Sequence, residues 1–253
     1  MQSVDLNSDI GEGYSVYTCG DDDAMLSIVT SANVAFGVHA GDPEIMGRTF
    51  SRALGLGVAI AHPGFPDRWG FGRRRIPFTN GEIERLLAYQ LGAACALACY
   101  AGHGIGYVKP HGALANIAAE DRDVADALAR SVRAVARKLP LLAIAMTQQV
   151  AAGVAAGLDV YQEIFADRGY AESGRLIPRG KAGSMIHDAE TAAARALIII
   201  QEWAIVTVSG KRLPTSIRSI CVHGDTSAAV ETARRVREAV EGAGVAVCAF
   251  TAK

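Results

Sequence analysis

Asp5, Asn7 and Asp9 recur at every second residue in the segment Val4-Asp5-Leu6-Asn7-Ser8-Asp9-Ile10-Gly11-Glu12. A strand puts residues spaced in this way on one face, and Val4, Leu6 and Ile10 supply the apolar side. Desolvating two carboxylates and an amide without partners is costly or shifts a pKa. A metal ion, a cationic side chain or a polar ligand is therefore expected opposite them. The plainer alternative is a polar turn closing a strand, with Asp9 and Gly11 as turn residues. A calcium loop fits less well, because its glycine would fall one place late and Val16 would stand where the final carboxylate belongs.

Similar chemistry recurs along the chain. His39, His62, Lys109 with His111, Asp167 with Arg168, and His223 with Asp225 each follow a short apolar run with a glycine close by. In a parallel barrel such positions gather around one mouth, where side chains that do chemistry sit. One histidine at a strand end is ordinarily a structural residue; four of the six in the chain, joined to Asp5, Asn7 and Asp9, point to a site. Such a set can bind zinc, manganese or iron, with His39, His62 and His223 as candidate ligands. It can equally act without metal as general acid and base, and the residue types leave both open. Lys109 and the loop run Arg73-Arg74-Arg75 add positive charge suited to a carboxylate or phosphoryl group. Their plainer readings are an ion pair at the mouth for Lys109 and solvated surface for at least two of the three arginines.

The elements that must position these residues alternate in type. Apolar runs at 32–38, 58–61, 105–108, 141–146, 160–165, 219–222 and 245–250 read as strands, and 204–208 as a strand of an excursion. Helical patterns fill 21–30, 43–56, 79–101, 113–138 (in two segments), up to about 156, 188–203 and 226–241. Asp42 before Pro43 marks one helix start, and Thr79 with Glu82 has capping-box spacing. Long helices between short β-branched strands suit parallel pairing, in an α/β barrel or a doubly wound sheet. No linker or fixed repeat interrupts the pattern, so a single domain spanning 1–253 is expected.

Composition narrows the function classes. A net charge of −1 gives no bulk attraction to nucleic acid or anionic membrane. No secretory leader or membrane span is evident, and five scattered cysteines suit reduced thiols, so a soluble cytoplasmic protein is expected. Cys95, Cys99 and His103 recur every four residues but sit among alanines and leucines, and are read as helix core, not a metal site. Gly174 to Lys181 has the wrong spacing for a phosphate loop, Gly102-x-Gly104-x-Gly106 precedes a strand instead of following one, and no G-x-S-x-G elbow occurs. The chain carries no nucleotide motif of its own.

Longer strings resemble the LamB/YcsF family. They are Asp5 through Glu12, Ser31-Ala32-Asn33 leading to Gly37-Val38-His39-Ala40-Gly41-Asp42, Ala61-His62-Pro63-Gly64, Gly70-Phe71-Gly72-Arg73-Arg74, Val108 through Leu114, Glu163-x-Phe165-Ala166-Asp167-Arg168-x-Tyr170, and Cys221 through Asp225. The resemblance runs in order over nearly the whole chain. It implies an irregular (β/α)7 barrel of the glycoside hydrolase/deacetylase type. It also implies the ring-opening A subunit of an ATP-dependent prokaryotic 5-oxoprolinase, a hydrolase of a cyclic amide, in which B and C subunits use the ATP. On that reading Asp5, Asp9, Glu12, Lys109 and His111 are catalytic candidates. Asn7, His39, His62, Arg73, Glu163, Arg168, His223 and Asp225 are substrate-binding candidates. Phe36, Tyr107 and Ala115 depart from the family pattern, where cysteine, histidine and tyrosine are expected. The alternatives are a metal-dependent deacetylase-like hydrolase and a non-catalytic subunit that binds a small ligand.

Overall fold

The computed structural model describes residues 3–54, 58–226 and 228–250. Its main sheet contains β1 (Ser3–Ile10), β2 (Ser31–Ala35), β3 (Val58–His62), β4 (Ile105–Val108), β5 (Leu141–Ile144) and β6 (Val160–Phe165). A short antiparallel pair follows, β7 (Ala204–Val206) and β8 (Arg212–Pro214), the expected excursion. The last strands are β9 (Ser219–Val222) and β10 (Ala246–Val247). β1 through β6 pair in sequence, β6 pairs with β9, and β9 pairs back to β1, which closes a parallel barrel of seven staves. The alternative of an open doubly wound sheet is thereby excluded.

The helices are α1 (Asp22–Leu26), α2 (Pro43–Ala53), α3 (Asn80–Tyr100), α4 (Gly112–Glu120), α5 (Arg122–Val135), α6 (Gln148–Ala155), α7 (Ala189–Glu202) and α8 (Ala229–Gly242). Their starts follow local chemistry. Asp42 accepts the Ile45 amide at 2.9 Å ahead of Pro43, and Thr79 and Glu82 form the reciprocal capping box. The apolar stripe of α3, Ile83, Leu87, Leu91, Ala94 and Ala98, faces the barrel. No helix among the described residues is long and apolar enough to cross a membrane.

Several expectations change, among them the helix expected over 21–30, which covers only Asp22–Leu26, and the strand over 141–146, which ends at Ile144. The final strand shrinks to two residues, because β1 pairs with β9 from Asp5 onward and leaves only Ser3 and Val4 for β10. Strand 32–38 ends at Ala35, where Gly37 takes a left-handed φ of 72°. Cys95 and Cys99 are exposed instead of core, since each falls one residue beyond a buried position of α3 and so turns away from the barrel. The expected end of the second helix at Leu56 lies outside the described residues.

Candidate active site

Strand register builds the barrel interior in layers. Asp5 stands level with Ser219, Asn7 with Cys221 and Ser31, and Asp9 with Asn33. Asp5 is fully buried. Its carboxylate accepts from Thr30 at 2.7 Å, Ser31 at 2.5 Å and Ser219. Burial pushes its pKa up, and the three hydroxyls pull against that push. Asp5 thus closes the lower part of the interior as a hydrogen-bonded plug.

One layer higher, Lys109 enters from the end of β4 and is 2% exposed. Its Nζ donates to Asn7 Oδ1 at 2.9 Å, Asp9 Oδ1 at 3.2 Å and Cys221 Sγ at 3.0 Å, and lies 3.2 Å from Glu163 Oε2. Burial alone would lower the lysine pKa, but Asp9, Cys221 and Glu163 overcome it and hold the ammonium well above its ordinary range. Burial would likewise raise Asp9, yet the charges of Lys109 and His62 hold it well below the usual carboxylate range. Glu163 differs: burial wins over Lys109 and its pKa is raised. Asp9 is therefore the ionised partner of the lysine. Asn33 fixes it, donating to Asp9 Oδ1 at 2.8 Å and Asn7 Oδ1 at 2.7 Å.

Three imidazoles sit beside this pair. His62 is the last residue of β3; Gly64, two residues on, is clamped by Gln90 of α3 through bonds of 3.0 Å and 2.9 Å to its backbone N–H and C=O. His62 Nδ1 is 2.9 Å from the Lys109 carbonyl, and His111 Nε2 is 2.8 Å from the Phe71 carbonyl. A carbonyl can only accept, so both of those nitrogens carry hydrogen. The two remaining nitrogens, His62 Nε2 and His111 Nδ1, face each other at 2.9 Å. In neutral rings both would be lone pairs, and two acceptors at that distance need a proton or a cation between them. His39 stacks on His111 with ring centroids 3.8 Å apart. Neither His39 nitrogen has a hydrogen-bond partner among the described residues, nor does Glu12 Oε1. Glu12 Oε1 lies 3.5 Å from His39 Nε2 and 3.7 Å from His111 Nδ1. Burial, then neighbouring imidazoles, push His39 and His111 down toward the neutral form that binds metals. Burial and the nearby Asp9 push Glu12 well up. The donor atoms of Glu12, His39, His62 and His111 all fall within 4.8 Å of one another. Three imidazoles and a carboxylate suit zinc, manganese or iron, and the orphaned nitrogens and oxygen fit such an ion.

His223 stands apart from that group. Its Nδ1 pairs with Asp167 at 2.7 Å and its ring stacks on Phe165. Arg73 reaches Asp225 at 2.8 Å, while Arg74 and Arg75 are exposed, Arg75 on the wall of a cavity. Arg74 ties the loop to Asp67, whose carboxyl it draws down to about 2. Arg168 is buried, donating to the carbonyls of Ser184 at 3.1 Å and Ile177 at 2.7 Å. Asp9, His62, Lys109, His111, Arg73, Arg168 and His223 line one cavity of about 800 Å³. Asp5, Asn7, Glu12, His39, Glu163 and Asp225 lie in contact with or beneath that set.

Sequence reasoning passed over Asn33, Gln90, Ser219 and Cys221 as site residues. Ser31 and Asn33 repeat the every-second-residue spacing of β1, which is the signal that could have found Asn33. Of the departures, Phe36 belongs to the apolar core, Tyr107 packs against Phe250 at 4.7 Å, and Ala115 lines the cavity.

The profile of the LamB/YcsF family matches residues 4–253. A protein from Azorhizobium caulinodans, named as the A subunit of 5-oxoprolinase, is 58% identical over 251 residues, covering 99% of each chain. The crystal structure of a lactam utilization protein from Thermus thermophilus superposes with a TM-score of 0.92 at 40% identity, over 98% of this chain and 100% of that one. The catalytic domain of a peptidoglycan N-acetylglucosamine deacetylase from Eubacterium rectale shares the fold, with a TM-score of 0.51 at 10% identity, over 100% and 90% of the two chains.

Proposed function

The chain belongs to the LamB/YcsF family, and from that premise we propose that it opens the ring of 5-oxo-L-proline hydrolytically to L-glutamate, as the A subunit of an ATP-dependent cytoplasmic 5-oxoprolinase. The observation that carries this reading is the ionised Asp9 held against the Lys109 ammonium beside the His62–His111 pair, all facing one cavity. A lactam amide is a poor electrophile. Phosphorylation of its oxygen by ATP on the B and C subunits gives the ring carbon cationic character. The oxygen of water then bonds to that carbon and its proton passes to Asp9 or to the His62–His111 pair. The ring carbon–nitrogen bond breaks with the nitrogen taking a proton, and a second water releases phosphate to leave glutamate. Lys109 faces the negative charge that develops on oxygen. Asn33 and Asn7 orient Asp9 and Lys109, and Asp5 seals the interior below them.

A second reading, a metal-dependent hydrolase of an N-acyl or related substrate, is favoured by the Glu12, His39, His62 and His111 cluster. A divalent ion held there would polarise a carbonyl oxygen or lower the pKa of a water. Exposed aromatic and apolar side chains on two neighbouring loops support a meeting surface for partner subunits. Trp69 is 97% exposed, and Arg68 lies over the Tyr14 ring at 4.0 Å, which joins the loops carrying the exposed Val16, Tyr17 and Trp69. The test is glutamate release from 5-oxoproline and ATP by the chain with its partner subunits. Full activity in His111→Ala or Asp9→Asn refutes the assigned roles, and turnover of an N-acetylated substrate without ATP selects the second reading.

A further inference from the structure

Arg168 is 4% exposed yet forms no ion pair with a carboxylate among the described residues; its two hydrogen bonds go to neutral carbonyls. Burying a guanidinium without a counter-charge is costly, so such a group normally waits for an anion. Arg179 also has no ion pair among the described residues. Its one hydrogen bond there is a weak contact with Met185 Sδ at 3.5 Å. Both line the cavity together with Arg73. The three guanidiniums are close enough to disfavour one another. Burial, then Arg179, with a smaller push from Arg73, draws Arg168 down to about 10, and Arg179 is lowered by burial and Arg73. Of the acids nearby, Asp167 pairs with His223 and Asp225 with Arg73, each through one oxygen, the other oxygen having no hydrogen-bond partner among the described residues. Neither forms an ion pair with Arg168 or Arg179. On this wall Lys109 pairs with Asp9, Arg175 with Glu120 and Arg73 with Asp225, which leaves Arg168, Arg179 and the exposed Arg75 as guanidiniums with no ion pair among the described residues. The cavity, at about 800 Å³, is also far larger than a five-membered lactam needs.

We propose that Arg73, Arg168 and Arg179 form a subsite for a phosphoryl dianion at the mouth of the cavity. Planar guanidiniums suit a phosphate by forked hydrogen bonding. A dianion can meet both Arg168 and Arg179, two guanidiniums without an ion pair among the described residues, where a single carboxylate would balance only one of them. The identity of the bearer, an ATP-activated lactam, rests on the proposed ring-opening function; the anion subsite itself does not. It places the phosphoryl group toward solvent and the ring carbon toward Asp9 and Lys109.

Calorimetric titration of the purified chain with inorganic phosphate tests this without partner subunits. The expected result is saturable binding of about one phosphate per chain, weakened roughly tenfold or more in Arg179→Gln and Arg73→Gln, the loss expected for a charge-assisted contact. Arg234→Gln, on the exposed face of α8, none of whose residues lines the cavity, should leave it unchanged. No saturable binding, or equal binding in all three variants, overturns the subsite. Arg179 is an exposed turn residue, so its variant should fold, and an unchanged circular dichroism spectrum checks that it has. Competition identifies the anion: displacement of phosphate by 5-oxoproline but not by 5-oxoprolinamide means that the site takes the ring carboxylate, and overturns the phosphoryl assignment. Failure of the ring-opening assay with phosphate binding intact sinks the proposed function and leaves the subsite standing. Undiminished glutamate release with unaltered half-saturation in Arg179→Gln, when that variant has lost phosphate binding, leaves the proposed function standing and overturns the activated lactam as the bearer.

Discussion

Replacing Lys109 with methionine should destabilise the fold by about 3–5 kcal/mol at neutral pH, the usual cost of stripping a buried charge of its partner. Methionine is apolar and close in length, so packing is largely kept and the loss is electrostatic. The structure shows what is left behind: Asp9 and Glu163, each 3.2 Å from the missing Nζ, with Asn7 Oδ1 and Cys221 Sγ also unpaired from it. For a domain of this size that cost corresponds to a fall of about 6–20 °C in Tm. The dependence on pH is the sharper signature. In the wild type the folded pKa of Asp9 lies below its unfolded value of about 3.9, so its stabilising effect is present above that pH and is lost as pH falls through the folded pKa. Without Lys109, burial dominates and the folded pKa rises above the unfolded one. Stability of the variant should then fall as pH rises through that value, because the native state binds the extra proton. Urea unfolding followed by far-UV circular dichroism between acid and neutral pH should show a gap between the two proteins that widens with pH. A gap below about 1 kcal/mol that stays constant with pH would contradict the ion-pair assignment, being the size of an exposed pair.

Elemental analysis after incubation with zinc or manganese and desalting should find about one ion per chain, lost in His62→Ala and kept in His223→Ala; retention in both variants, or loss in both, argues against the Glu12, His39, His62 and His111 set. Gly72→Ala should lower activity and stability together, since Gly72 has φ 66° and a Cβ there would sit 2.7 Å from His39 Cβ and 2.9 Å from His111 Cδ2. The backbone share alone is about 1–2 kcal/mol, visible as a lowered urea midpoint. Asn33→Leu should cost about 1–3 kcal/mol by removing a donor from buried Asp9 and Asn7, and should lower kcat more than it changes KM; a change confined to KM would mean that Asn33 touches substrate and does not position Asp9.

What could be read from the chain divides along a physical line. Features set by neighbours in sequence were legible: the alternating acids of β1, the Asp42 and Thr79 caps, the excursion at Ala204, and the strand-end positions of the histidines. Features set by register between distant strands were not. Nothing local tells Ser219 that it will meet Asp5, or that Lys109 will reach Asn7 across 102 residues. Gln90 was hidden for the same reason, a polar residue on an apolar helix face whose partner is a loop 26 residues earlier. Cys95 and Cys99 were misread because an alanine-rich helix has little amphipathic contrast, and the buried stripe passes one residue to the side. The choice of His111 over His223 as neighbour of His39 and His62 depends on which strands lie side by side: β4 adjoins β3, whereas β9 lies across β1.

The most direct test of the central claim is glutamate release from 5-oxoproline and ATP by the chain combined with the proposed B and C subunits, comparing wild type with Asp9→Asn. An amide in place of that carboxylate keeps the shape and the Asn33 contact while removing the charge that faces Lys109. The account predicts release by the wild type and a fall of about two to four orders of magnitude in kcat for the variant, the range lost when a general base is removed. Release by Asp9→Asn at the wild-type rate would contradict it.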